Sequence, residues 1–149
     1  TSEGLIKYDG EKFRTFSKKE GLPGDDEEIW GLTIDKSGLI WVGSTGGVNQ
    51  FDGEKFIPFS LPDSKAENAK PMLSDKLVFK IIEDKNGNIW FATTHNGLCY
   101  FNGNSFINIT EKGNITGKEI WNISEDKNKN IYSFIGNNFV SYCLLIKAI

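Results

Sequence analysis

The sequence repeats one phrase of residues along its length, and this repetition restricts the possible fold more than any other feature. The phrase opens with an aliphatic residue, an aromatic residue, a further apolar residue and a small residue, and it closes with an Asp-Gly or Asn-Gly pair and a Phe. Two full copies occupy residues 40–56 and 89–106, a copy of the second half occupies residues 4–13, and a degenerate first half occupies residues 131–134. Such periodicity indicates a repeat architecture, in which each unit buries its apolar face against its neighbours.

One unit, residues 77–110, contains four short runs rich in β-branched and aromatic residues. The runs cover residues 77–83, 88–94, 98–101 and 105–109. Between them stand turn sequences with Gly or Asn-Gly, which tight hairpins require for a positive φ. The turns inside a unit keep their length, whereas the connections between units vary. This pattern predicts an all-β fold, a β-propeller segment of about three four-stranded antiparallel blades. A parallel β-helix and a Greek-key sandwich stay open as alternatives.

The predicted blades do not close a ring. The predicted boundaries are a half blade at 4–16, a blade at 29–59, a blade at 77–109 and a partial blade at 120–142. Closed propellers have about four to eight blades, so the segment is either part of a larger propeller or completed by oligomerisation. Residues 138–142 are a candidate third strand, while the apolar residues 143–149 match no repeat position. Unpaired blade edges beside an apolar strand predict self-association.

The repeated aromatic residues are expected to pack between blades. Trp41 and Trp90 each stand two positions before a small residue, Gly43 and Ala92, which lets neighbouring sheets approach closely. Each large aromatic buried in this way contributes about 1.5–3 kcal/mol to stability. The outer-strand residues with the same expected role are Phe13, Phe56 and Phe106.

The composition argues against several classes of function. A formal net charge of −3 without a Lys/Arg cluster disfavours nucleic acid as a partner, because phosphate binding needs clustered cations. No apolar run approaches the roughly 18 residues of a membrane span, so direct membrane insertion is not expected. Cys99 and Cys143 form no CxxC pair, His95 is the single histidine, and the turns at Asp84 and Asp126 lack the Gly and Glu of a calcium loop. No cofactor, metal site or catalytic residue is predicted.

A candidate ligand site is predicted on one rim of the propeller. If the first strand of each unit is innermost, the loops between the second and third strands share a rim with the start of the first strands. Aromatic rings beside Thr, Asn and His side chains suit carbohydrate, because apolar sugar faces stack while hydroxyls are hydrogen-bonded. The competing interpretation is that the aromatic residues pack the inner barrel. The predicted site residues are Trp30, Phe79, Trp121, Thr45, Thr94, His95 and Asn96.

The phrases at residues 38–47 and 83–93 resemble the two-component regulator propeller repeat, and the resemblance extends over about residues 4–135. It implies a sensor propeller, often paired, outside the cytoplasmic membrane of a bacterial histidine kinase or hybrid regulator. Some members of this family respond to oligosaccharides. The resemblance therefore implies a non-enzymatic sensing or binding module, periplasmic or extracellular, with a carbohydrate or another small molecule as its ligand.

The last unit departs from the family pattern. Tyr132, Ser133 and Phe134 replace the Trp, aliphatic and Gly residues expected there, and nothing downstream resembles a kinase, a helical linker or a membrane span. Any signalling output is therefore expected on sequence outside this chain. Two other functions stay open. One is a protein-interaction scaffold, and the other is a fragment of a streptogramin-lyase-like propeller, which needs an active-site His with acidic partners and a metal.

Overall fold

The fold is a β-propeller segment made of antiparallel sheets, as the repeat predicts. The computed structural model describes residues 4–22, 28–59, 77–94, 96–112, 117, 119–137 and 140–146. Within each sheet the strands follow one another in chain order, so every blade is a simple meander. No helix in these ranges is long and apolar enough to cross a membrane.

The strands group into a half blade and three blades. The half blade contains β1 (Leu5–Tyr8) and β2 (Phe13–Phe16). The first blade contains β3 (Ile29–Ile34), β4 (Ile40–Ser44), β5 (Gly47–Phe51) and β6 (Phe56–Pro58). The second contains β7 (Val78–Glu83), β8 (Ile89–Thr93), β9 (Leu98–Phe101) and β10 (Phe106–Asn108). The third contains β11 (Glu119–Glu125), β12 (Ile131–Asn137) and β13 (Val140–Ile146). A 3-10 turn covers Lys18–Glu20, and a short helix, α1, covers Ile109–Lys112.

The blades pack face to face around their first strands. Strands β3, β7 and β11 contact one another in succession, so they are the innermost strands of the segment. Three apolar clusters fill the spaces between successive sheets, one for each pair of neighbours. The core therefore lies between blades rather than within any one of them, as expected for a repeat fold.

Trp41 and Trp90 have equivalent surroundings. Both are 3% exposed, and both pack against aromatic neighbours between two sheets. Gly43 explains why the sheets come so close, because a Cβ there would lie 2.8 Å from a methyl carbon of Val78 in the next blade. The predicted packing role of these tryptophans is confirmed.

Two details differ from the sequence-based expectations. Phe13 is 74% exposed rather than buried, because no described element covers that face of the half blade, where it stacks on Tyr8 with ring centroids 4.6 Å apart. Phe56, in contrast, is buried as predicted. The third strand of the last blade, β13, runs to Ile146 and pairs with β12 along its whole length, so part of the apolar segment 143–149 does occupy a repeat position.

Charged turns join the blades in one direction. Lys36 of the first blade donates from its backbone N to Glu83 Oε2 (2.8 Å) and from Nζ to the carbonyl oxygen of Asp84 (2.9 Å) in the second. Lys85 of the second blade repeats the pattern towards Glu125 (3.1 Å) and the carbonyl oxygen of Asp126 (3.0 Å) in the third. Each turn thus contacts the equivalent turn of the following blade.

Candidate functional site

Each innermost strand carries a β-bulge at the same position. The pairing register shifts between Ile29 and Gly31, between Val78 and Lys80, and between Ile120 and Asn122. The extra residues, which have no partner on the adjacent strand, are Trp30, Phe79 and Trp121. A bulge re-aims the side chain it carries and is a designed feature of a sheet more often than a defect. The side chains of these three aromatic residues therefore do not follow the alternating directions of the other side chains in their strands.

The three bulged side chains form a continuous aromatic row across the three blades. Trp30 and Phe79 meet edge to face, with ring centroids 5.6 Å apart and planes at 81°. Phe79 and Trp121 are stacked, with centroids 4.5 Å apart and planes at 21°. The structure thus brings together the three aromatic residues predicted from the sequence.

The aromatic row is accessible at both ends. Trp30 is 51% exposed and Trp121 is 52% exposed, whereas Phe79 between them is half-buried. The indole of Trp121 lies directly against Gly136, where a Cβ would collide with the indole ring. Solvent therefore reaches the indole surfaces of Trp30 and Trp121, while ring contacts within the row and the contact with Gly136 hold these side chains in place.

The polar residues of the predicted site lie at the same end of the blades. Ile29 pairs with Ser44, so the row begins beside the turn that contains exposed Thr45. Val78 pairs with Thr93 in the same way, next to Thr94 and Asn96, which are both half-buried. Among the described residues, no hydrogen bond or ring contact joins Thr45, Thr94 or Asn96 to the aromatic row. The remaining predicted residue, His95, lies outside the described residues.

Hydrogen bonds hold the described residues on either side of position 95. Thr94 donates its backbone N–H to the carbonyl oxygen of Leu77 (3.0 Å), and the backbone oxygen of Asn96 accepts from Asn108 Nδ2 (2.9 Å). Thr93 Oγ1 donates to the carbonyl oxygen of Gly97 (2.8 Å). The rim beside the row is therefore anchored on both sides of position 95.

A second repeated constellation, at the opposite end of the blades, was missed from the sequence. An Asp after each first strand accepts backbone N–H bonds from its own turn and a bond from the aromatic residue six positions later. Trp41 Nε1 donates to Asp35 Oδ2 and Trp90 Nε1 to Asp84 Oδ2, both at 2.8 Å. Tyr132 departs from the family's Trp, but its hydroxyl still donates to Asp126 (3.2 Å).

Hydrogen bonds give these carboxylates a structural role. Burial raises the pKa of Asp84, but hydrogen bonds from Trp90, Asn88 and Asn86 outweigh it, so that its net pKa is lowered. For Asp126, hydrogen bonds from Asn130 and its other turn partners lower the pKa of the carboxyl. Within the described ranges, no three His, Cys, Asp or Glu side chains are grouped so as to hold a metal ion. Asp35 and Asp84 fix their turns and an indole, and Asp126 fixes its turn and the phenol of Tyr132.

Comparison with known proteins supports the fold and the repeat. The two component regulator propeller profile matches residues 72–95, which confirms the resemblance seen in the sequence. No curated protein matches the chain.

Two solved structures share the fold. One is the extracellular domain of a putative hybrid two component system from B. thetaiotaomicron, with 22% identity, a TM-score of 0.62, and coverage of 89% of this chain and 16% of that one. The other is PorZ, a bacterial surface component of the type-IX secretion system of Porphyromonas gingivalis, with 18% identity, a TM-score of 0.61, and coverage of 72% and 16%. The chain spans about one sixth of the length of either protein.

Proposed function

We propose that this propeller segment is a non-enzymatic ligand-sensing module of an extracytoplasmic receptor, and that its ligand stacks on the aromatic row. The row itself carries the proposal. Two half-exposed indoles and a phenyl ring form one line over three successive blades, although burial would have stabilised each of them by about 1.5–3 kcal/mol.

An oligosaccharide suits the chemistry of the row. The apolar faces of sugar rings stack on indole, and hydroxyl groups take hydrogen bonds from polar side chains at the edge of such a site. Thr45 and Asn96 stand at the same end of the blades as the row and offer a hydroxyl and an amide. A row that crosses blade boundaries favours a ligand of several units over a single sugar.

The proposed location is the periplasm or the cell exterior. The repeat profile at residues 72–95 belongs to two component regulators, and one solved structure with this fold is an extracellular domain. A receptor of this type carries its output on other parts of the protein. The ligand of this segment would therefore be met outside the cytoplasm.

The proposal is tested by calorimetric titration of the chain with a panel of neutral hexaoses, among them maltohexaose, xylohexaose and cellohexaose. We expect saturable binding to at least one of them, and loss of that binding in Trp121→Ala with an unchanged melting temperature. Phe134→Ala is the matched control, because Phe134 is 51% exposed on the same blade but lies outside the row. Equal losses in the two variants, or no saturable binding in any titration, would contradict the proposal.

A second proposed role is self-association through blade edges. In the described part of the chain β1 pairs with β2 alone, and the half blade exposes Ile6, Tyr8 and Phe13. An unpaired edge beside exposed apolar residues is a template for another strand. Sedimentation velocity should show concentration-dependent association that Ile6→Lys weakens, and a monodisperse monomer at all concentrations would refute it.

A further inference from the structure

A pocket lies between the second and third blades, at the end of the strands opposite to the aromatic row. It has a volume of about 210 Å³ and is bordered by the turns that follow β7, β9 and β11. Trp90 and Tyr100, stacked with centroids 4.8 Å apart, form its apolar side. Its polar lining includes Asn86, Asn102 and Lys129. We refer to it as the inter-blade pocket.

The inter-blade pocket has an excess of hydrogen-bond donors. Lys129 Nζ reaches across the blade boundary to Asn86 Oδ1 (3.1 Å), which leaves Asn86 Nδ2 without a partner among the described residues. Asn102 uses Oδ1 to accept the backbone N–H groups of Asn104 and Ser105, and its Nδ2 has no described partner either. These amide groups and the ammonium outnumber acceptors of the lining such as Asn88 Oδ1, whose Nδ2 is bonded to Asp84, so together they favour a ligand that is rich in acceptors.

The carboxylate in the lining does not supply the missing acceptors. Asp84 is 4% exposed, and its two oxygens already accept four bonds from N–H groups within its own blade. These four N–H bonds favour the ionised form of Asp84 and occupy its oxygens, so the carboxylate has no donor or free acceptor to offer a ligand. Of the charged groups in the pocket lining, Lys129 is therefore the one that can bind a ligand.

The donor excess comes from two departures from the chain's own repeat. Lys129 stands where the other two turns have Gly38 and Gly87, and it adopts the same left-handed conformation, with φ 68 against 88 for both glycines. A residue other than Gly is uncommon in that conformation. Asn102 stands where the corresponding turn of the first blade has Asp52. One departure adds a cation and the other removes a carboxylate, and both face the same pocket.

We propose that the inter-blade pocket binds a small carboxylate that also carries hydroxyl groups, of the size of a hexuronate. The carboxylate pairs with Lys129 Nζ, and the amides of Asn86 and Asn102 donate to its oxygen atoms or to hydroxyls. The pocket is smaller than the roughly 300–1,000 Å³ of sites for drug-sized ligands, so it takes a single small molecule. A carboxylate is favoured over a phosphate because one cation faces the ligand and a second negative charge would stand unpaired near Asp84.

Calorimetric titration of the chain with D-glucuronate, with D-glucose as its neutral counterpart, tests the proposal. We expect saturable binding of glucuronate but not glucose, weakened by added NaCl. Lys129→Gly restores the residue of the other turns, so it should weaken binding at least tenfold while the melting temperature stays equal or rises. Asn102→Asp keeps the turn acceptor that Asp52 provides and adds a repelling charge, so it should weaken binding as well.

Several results would overturn the proposal. They are the absence of saturable glucuronate binding, equal affinity for glucuronate and glucose, unchanged affinity in Lys129→Gly, and binding of inorganic phosphate without binding of glucuronate. Trp121→Ala separates this site from the aromatic row, since Trp121 does not line the pocket. Glucuronate affinity unchanged by that substitution supports two independent sites, and its loss would refute the inter-blade assignment.

Discussion

Replacing Asp84 with Asn tests whether the Asp-to-Trp contact holds the blade together. Asp84 Oδ1 accepts from the backbone N–H groups of Asn86 and Asn88, at 2.8 and 2.9 Å. Oδ2 accepts from Asn88 Nδ2 at 2.7 Å and from Trp90 Nε1 at 2.8 Å. An Asn side chain has one oxygen and one NH2 group, so in either orientation its NH2 faces two donors.

The expected loss is about 3 kcal/mol of unfolding free energy, since a hydrogen bond to a charged group contributes about 1.5–3 kcal/mol and a buried donor left unpaired costs about 1–3 kcal/mol. Trp90 is buried, so water does not replace the lost acceptor. For a chain of this size such a loss corresponds to a fall of about 6–12 °C in melting temperature. Urea denaturation followed by tryptophan fluorescence gives the free energy directly.

Asp52→Asn is the matched control for this experiment. Asp52 uses Oδ1 alone, to accept the N–H groups of Glu54 and Lys55, and Asn102 makes the equivalent pair of bonds with an amide oxygen. This substitution should therefore leave stability nearly unchanged. If Asp84→Asn were as mild as Asp52→Asn, the buried carboxylate would not be the anchor of the tryptophan, and the reasoning would fail.

Two further predictions concern pH and blade spacing. Because hydrogen bonds lower the folded-state pKa values of Asp35, Asp84 and Asp126 in net, the stability they contribute is present above about pH 4 and is lost as the pH falls further, since protonation then favours the unfolded chain. As the pH is lowered from 5 to 2, the urea midpoint of the native chain should fall, and that of Asp84→Asn should fall less. Parallel plots of midpoint against pH for the two chains would contradict this. Gly43→Ala places a Cβ 2.9 Å from the carbonyl oxygen of Val78 and should cost about 1–3 kcal/mol in denaturant unfolding, whereas an unchanged midpoint would mean that the two blades do not meet there.

The sequence was sufficient for the blade and for the aromatic row because both follow from position within a repeat. Once the first strand is innermost, residues five places before the turn Asp must lie side by side in successive blades, and Trp30, Phe79 and Trp121 do so. Their contact needed no knowledge of partners outside the repeat. The exposure of these three side chains could not be predicted in the same way, because it depends on the bulges and on what covers the inner strands.

Other features could not be predicted because they depend on register and on neighbours. The contact from Asp84 to Trp90 joins positions six apart across a turn, and it appears only when the turn conformation is known. Phe13 matches Phe56 in sequence, yet the two differ in burial because the sheets beside them differ. Residues 138–142 are a candidate third strand without the Asp-Gly or Asn-Gly turn of the other blades, and the extension of β13 to Ile146 follows only from its pairing with β12.

The forward contacts of Lys36 and Lys85 give the array a head and a tail. The first blade offers an ammonium to a carbonyl of the second, and the second offers one to a carbonyl of the third, so a copy of the second blade would carry both halves of the junction. Gene duplication can then lengthen such an array without inventing a new junction. Reversing one unit would instead place two ammonium donors together at one junction and two carbonyl acceptors together at the other.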